Sequence, residues 1–322
     1  MFPPRRTLVT VTGSKGIEQA SRAPLEPEVV NRFLRQMQGA DVGAPSSEPS
    51  REPWREPWPE PWLLVSVGST NHELGVRAGL ESLPEGSCLV AEHQFAGRGR
   101  LGRAWESPNG AGLWVSVLVD IEQIPVARLG WLPLVAGLAI SGAIGEVTGI
   151  DVRLKWPNDL VIDGLARDES PGPRKIGGIL VETTGQGNRQ AIVGFGVNVS
   201  LRPEELPTAQ ATSILTEKGS CLDRAHLLAA ELTHLHRRLA QWRNEISTAN
   251  TSITSVIPTT SIRDDYQARC LSLGRQVRVA LPGCEEIVGI ATEISPDGLL
   301  GVTDGEEIVR FVAAGDVIHA RI

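Results

Sequence analysis

Cysteine, tyrosine and basic residues are the scarce elements of this 322-residue chain: four Cys, one Tyr, and 31 Lys+Arg against 38 Asp+Glu, a net charge of −7. Cys88, Cys221, Cys270 and Cys284 form no CxxC pair and lie far apart. The six His show neither HExxH nor a related spacing. A zinc site needs clustered soft ligands and a small secreted scaffold needs paired cysteines, so both are excluded, and the thiols suit a reducing compartment. The acidic balance excludes a globally basic nucleic-acid coat but is compatible with a local basic loop. No apolar run approaches the roughly 20 residues of a membrane helix. The longest uncharged stretch, Leu129 to Gly145, is interrupted by Pro133 and by glycines at 130, 137, 142 and 145. Within it Trp131, Leu134, Val135 and Leu138 fall at helical spacing, which predicts a buried helix. The opening MFPPRRTLVTVTGSKG lacks the apolar core of a secretory signal, while its freedom from acids before Glu18 leaves a transit peptide open as a minority reading. A soluble cytoplasmic protein is expected, with no membrane partner.

What is present is enough apolar material, 41% of the residues, for a substantial core, together with 34 Gly and 22 Pro for tight turns. At roughly 100–200 residues per domain, about two domains are expected. Residues 1–45 read as a weakly structured extension holding one short helix near Glu28–Gln38, which is too little for a winged helix or helix-turn-helix. Residues 46–62, with Pro-Trp at 53–54, 57–58 and 61–62, read as an extended linker, a semi-rigid spacer in preference to a docking peptide for an aromatic-lined groove. Residues 63–265 alternate apolar strands and helices in the manner of an α+β domain with a mixed, largely antiparallel sheet. Residues 266–322 change to short strands separated by Gly283, Pro296-Asp297-Gly298 and Asp304-Gly305, the pattern of a small β-barrel.

Four clusters carry chemistry. In Ala91 to Arg103, AEHQFAGRGRLGR, the glycines let backbone approach an anion and the arginines offer forked donors for phosphate or carboxylate. Gly97, Gly99 and Gly102 formally satisfy GxGxxG, but a dinucleotide fingerprint must open a helix, and Ser107-Pro108-Asn109-Gly110 breaks one. Lys155-Trp156-Pro157-Asn158-Asp159 delivers an Asn-Asp turn at a strand end, suited to a ribose hydroxyl or to Mg²⁺-bound water. Lys175 enters a strand whose Gly177 and Gly178 allow something to lie against the backbone. Asn198 ends the Gly-kinked GFGVNV. Each alone is an ordinary turn, gatekeeper or solvated loop.

Their order is not ordinary. Ser-Thr-Asn, GRGRLGR, KWPND, KIGGILVE, GFGVNV and a terminal barrel together resemble the biotin–protein ligases, from about Ser66 to the C-terminus. The resemblance implies a class II synthetase-like catalytic domain with a C-terminal SH3-like barrel, and ATP, biotin and Mg²⁺ as reactants. It also implies biotin transfer to a carrier protein or domain of acetyl-CoA carboxylase. Ser69, Thr70, Asn71, Gln94, Gly97, Arg98, Arg100, Lys175 and Gly178 would then serve biotin. Arg98, Arg100, Arg103, Trp105, Asn158, Lys175 and Asn198 would serve ATP and adenylate, and Asp159 would sit on the metal side. Lys175, Arg100 and Asp159 would carry the reaction. His93 and Phe95 depart from the better-known bacterial pattern, and residues 163–174 form a longer excursion before Lys175. Competing readings are a lipoate ligase or octanoyl transferase of the same superfamily, a biotin-responsive repressor, and an RNA-binding module. The absence of a basic helix-turn-helix before residue 60 speaks against DNA, and a homodimer is left open.

Overall fold

The computed structural model describes residues 22–39, 58–106, 108–185, 187, 189–249, 261–281, 286–313 and 316–319. The start of the chain, most of the Pro/Trp linker and Cys284 lie outside them. The elements run α1 (Pro27–Gly39), β1 (Trp62–Leu64), α2 (Thr70–Leu80), β2 (Cys88–Ala91) and β3 (Gly112–Asp120), then α3 (Leu132–Thr148). β4 (Arg153–Lys155), β5 (Asp159–Ile162), β6 (Arg174–Thr184) and β7 (Gln190–Asn198) follow, then α4 (Arg224–Ala249) and α5 (Ile262–Arg269). The chain closes with β8 (Gln276–Ala280), β9 (Glu286–Ile294), β10 (Leu300–Thr303), β11 (Val309–Val312) and β12 (Asp316–His319).

Seven strands form one sheet in the order β1-β2-β3-β7-β6-β5-β4, parallel only between β1 and β2. Its centre is covered on both sides. Leu113, Val115, Val117 and Val119 of β3 enter the main core with α3 and α4, while Leu118 packs with Leu74 of α2 and Ile192. Burial on both faces explains why β3 reads as a nearly continuous apolar run. The helical stretch Val126–Thr148, a 3-10 turn running into α3, is long and apolar enough to pass for a membrane span, but most of it is buried inside the fold. The last five strands form an antiparallel sheet, β11-β10-β9-β8-β12. It is joined to the larger unit by two indoles, Trp131 and Trp156, whose Nε1 groups donate to the carbonyls of Pro296 and Gly298.

Three expectations need amending. The boundary between 62 and 63 falls inside β1, and that between 265 and 266 falls inside α5, whose buried Tyr266 packs edge-on against Trp131. The extension 1–45 is firmly structured over its described part. Val30 of α1 is fully buried in the core and Phe33 stacks on His226 of α4. An amphipathic helix of this length is held by such packing rather than by propensity.

Candidate functional site

The β-sheet register builds the floor. Trp114, Gly196, Gly178, Asp159 and Lys155 are successive cross-strand partners on β3, β7, β6, β5 and β4. Partners share a face, so two glycines form a trough between an indole at one end and an acid and an amine at the other. Trp105 fills that trough. A Cβ on Gly196 would stand 3.3 Å from its ring and one on Gly178 3.5 Å away. The Lys175 amine is equally close to such a Cβ on Gly178, at 3.4 Å, so it is this indole and that amine that lie against the strand where the glycines allow a close approach. The Trp105 Nε1 is buried without a hydrogen-bond partner, an unusual cost that a ligand acceptor would relieve.

Two adjoining cavities meet around Trp105, Asp159 and Lys175. The smaller, about 410 Å³, is walled by Trp114, Val115, Ile179 and Phe195, with Ser69, Thr70 and Gln94 as its polar end. The larger, about 610 Å³, contains Lys155 and Asn198 and is closed by Leu201, Pro207, Thr208, Gln210 and Ala211. An apolar pocket with a few convergent polar groups suits a small bicyclic or aliphatic ligand.

The polar end is held by a network the sequence only half revealed. Ser69 stands at the N-cap of α2, yet its side chain makes no capping bond. The Gln94 Oε1 does that work, accepting from the Thr70 N–H at 2.8 Å and from the Thr70 hydroxyl at 3.2 Å. Ser116, a buried serine in the middle of apolar β3, donates to Thr70 Oγ1 (2.8 Å) and Asn71 Oδ1 (2.6 Å). The Asn71 amide donates to Glu182 at 2.7 Å and to the Leu180 carbonyl at 3.2 Å. Asn71 thus lines the cavity but is committed to the scaffold. Gly194 lies opposite it, and an added Cβ would collide with the Asn71 amide.

The Gly/Arg segment is a miniature hairpin. Trp105 N–H donates to Gly97 O (2.9 Å) and Gly99 N–H to Arg103 O (2.7 Å), and Leu101 (φ 57°) and Gly102 (φ 72°) turn it over. Successive positive φ values describe a type I′ turn, and an exposed leucine there stores backbone strain of a kind that collects at ligand-binding loops. Gly97 is needed for the close pairing, since a Cβ would sit 2.5 Å from the Trp105 carbonyl. Among the named glycines it serves the hairpin's neck rather than the cavity wall.

Arg98, Arg100 and Arg103 all reach the smaller cavity. Arg100 donates to Asn158 Oδ1 at 3.2 Å, and Asn158 is fixed by donating to the Ile179 carbonyl at 2.9 Å. Burial weakens the hold of Arg100 on its proton, while Asp159 opposes that effect. The Lys175 ammonium lies 2.5 Å from Asp159 Oδ1 and 5.3 Å from the Trp105 ring centre. Lys155 is depressed below the ordinary lysine value by burial, with Asp159 supporting its charge and Lys175 opposing it. Asn198 is buried and donates to the Thr212 carbonyl at 2.9 Å. Sequence reasoning missed Ser116, Glu182, Trp114 and the loop at 201–212; only the lone serine in GLWVSVLVD offered a signal.

Comparison with known proteins places this geometry. The profile of the biotin/lipoate A/B protein ligase family matches residues 65–198. The biotin–[acetyl-CoA-carboxylase] ligase of Mycobacterium tuberculosis is 37% identical over 262 residues, covering 80% of this chain and 88% of that protein. The chain belongs to the biotin protein ligase family. The bifunctional ligase/repressor BirA of Escherichia coli is 34% identical over 79% of this chain and 72% of its own length. The biotin protein ligase of Aquifex aeolicus, solved in complex with biotin and ATP, superposes with a TM-score of 0.62. It is 27% identical and covers 81% of this chain and 99% of that one.

Proposed function

We propose that the chain is an ATP-dependent biotin–protein ligase, and the observation that carries this reading is the meeting of the two cavities at Lys175. The small apolar cavity takes biotin, with its ureido ring at Ser69, Thr70 and Gln94. The larger one takes ATP, with Asn198 on the nucleotide side. The biotin carboxylate then attacks the α-phosphorus, pyrophosphate leaves, and biotinyl-5′-AMP forms. In a second step an acceptor lysine amine attacks the acyl carbon and AMP departs. The acceptor is a biotin carboxyl carrier domain of acetyl-CoA carboxylase.

Bringing a carboxylate onto a phosphate sets two anions against each other, so fixed cations aimed at the developing charge are the main requirement. Lys175, Arg98, Arg100 and Arg103 supply them, and the Gly/Arg hairpin covers the mixed anhydride from water. Asp159 holds Lys175 in place before substrate arrives. Among the described residues no cluster of three or more metal-ligating side chains occurs. Asp159 would hold a Mg²⁺ that arrives with the ATP phosphates, and the ion would supply neutralisation of phosphate charge.

Biotin-dependent exchange of labelled pyrophosphate into ATP tests the reading. Exchange with biotin but not with octanoate or lipoate supports it; exchange with either of those acids in place of biotin would overturn the substrate assignment.

A further inference from the structure

The wall loop of the larger cavity is held by two arginines, Arg22 before the family-matched region and Arg167 within it but outside the sequence motifs that carry the resemblance. The loop leaves β7 after Asn198, passes a short 3-10 turn at Pro203–Glu205, and returns to β6. There Lys175 N–H donates to Gln210 O at 2.6 Å and Thr212 N–H to Lys175 O at 2.9 Å. The same loop therefore supplies a cavity wall and pairs with the backbone of the central lysine.

Arg167, in the excursion between β5 and β6, spans this loop. Its guanidinium donates to the carbonyls of Pro203 (2.8 Å), Thr208 (2.7 Å) and Ala211 (3.2 Å), and its own N–H donates to Ala209 O at 3.0 Å. Thr208 and Ala211 line the cavity. Arg22, just before α1, grips the loop's other end. It makes a two-pronged pair with Glu205 (3.0 and 2.6 Å) and donates to Ser200 O (2.6 Å) and Ser200 Oγ (3.2 Å). The Arg22 pairing holds the Glu205 carboxyl below the usual glutamate range. The same N-terminal strap is tied to the base of the Gly/Arg segment, where Leu25 N–H donates to Glu92 and Arg224 bridges Glu92 to Ala23 O.

We propose that Arg167 and Arg22 are positioning residues for the nucleotide: they fix loop 201–212 in its binding geometry before ATP arrives. This rests on the ligase reading, in which the larger cavity holds ATP. Pre-organising a loop raises affinity by removing the ordering cost of binding. Arg167 is exposed and its bonds run to carbonyls that water can also serve, so its loss should loosen the loop without unfolding the chain. Arg22 joins two otherwise separate segments, so its loss acts on the same loop from the opposite end.

The experiment is steady-state pyrophosphate exchange on the full chain. Arg167→Ala and Arg22→Ala should each raise the KM for ATP about tenfold, the worth of one or two charge-assisted hydrogen bonds. The KM for biotin and the kcat should stay within about threefold, a split that a general loss of stability does not produce. The double variant should exceed either single one, and exchanging the charges in Arg22→Glu with Glu205→Arg should recover part of the loss. An ATP KM unchanged in both single variants and in the double variant would overturn the proposal. So would a parallel rise in both KM values with a falling melting temperature. If the wild-type chain shows no biotin-dependent exchange, the ligase reading fails and this proposal falls with it; normal wild-type exchange with indifferent variants defeats the loop assignment alone.

Discussion

Two lysines flank one aspartate in the site, and their surroundings give them different work. Lys175 lies where both cavities meet, paired to Asp159 at 2.5 Å and set over Trp105. Lys155 lines only the larger cavity, and burial disfavours its charge. A cation shared by the biotin carboxylate and the α-phosphate gains most as charge moves between them. Lys175→Gln should therefore lower biotin-dependent exchange by about 10²–10³, with transfer from supplied biotinyl-AMP affected less. Lys155→Gln should cost less in the same exchange assay; the reverse ranking would make Lys155 the central cation. Gly194→Ala should act through Asn71 instead. The new methyl collides with the amide that links Ser116, Leu180 and Glu182, so the KM for biotin should rise by at least about tenfold, the equivalent of ~1.4 kcal/mol. An unchanged KM would show that the network adapts. Motif spacing made the charged residues legible, because cations and amides at loop ends stand out against apolar strands. The scaffold was not, because Ser116 and Gly194 take their meaning from cross-strand register, which a linear pattern does not display.

Among the elements, the Gly/Arg hairpin is the one whose order matters most in the proposed reaction. Its neck is closed by backbone pairing around Gly97, and its tip carries Leu101 in a conformation leucines avoid. Arg100 is its anchor to the site through Asn158. Arg100→Gly removes that anchor from a segment that already contains three glycines, so the cover should open and the adenylate escape. Increased labelling of bystander lysines in a trapping assay is the expected result, with overall exchange reduced less than release is increased. Unchanged retention of the adenylate would place the cover elsewhere. The loop after β7 was invisible to sequence reading for a plain reason. Residues 201–212 have no periodicity of their own, and their shape comes from the Arg167, Arg22 and Lys175 contacts that hold them.

For the whole molecule, the sequence showed the order of strands and helices well, and least well the parts whose structure depends on a distant partner. The extension before the linker read as weakly structured because one short helix buries little by itself. In the fold it covers α4, with Val30 fully enclosed and Leu25, Val29, Phe33 and Leu34 packed around it. Removing residues 1–61 should therefore uncover core and lower the melting temperature by several degrees, since full burial of Val30 alone is worth about 1.5–3 kcal/mol and each kcal/mol shifts a large domain by at most about 2–4 °C. An unchanged melting curve would show that α1 contributes no net stability. Helix α5 and strand β12 escaped notice for the same reason, since each is defined by packing on Trp131 or pairing with β8. In the proposed function all these parts serve one transfer of biotin to a carrier lysine. Its most direct test is intact-mass spectrometry of an apo biotin carboxyl carrier domain after incubation with the chain, biotin and Mg-ATP. The expected result is the addition of a single biotinyl group, on one lysine, that requires ATP and is lost with Lys175→Gln; a carrier of unchanged mass, or one modified equally without ATP, would rule the ligase reading out.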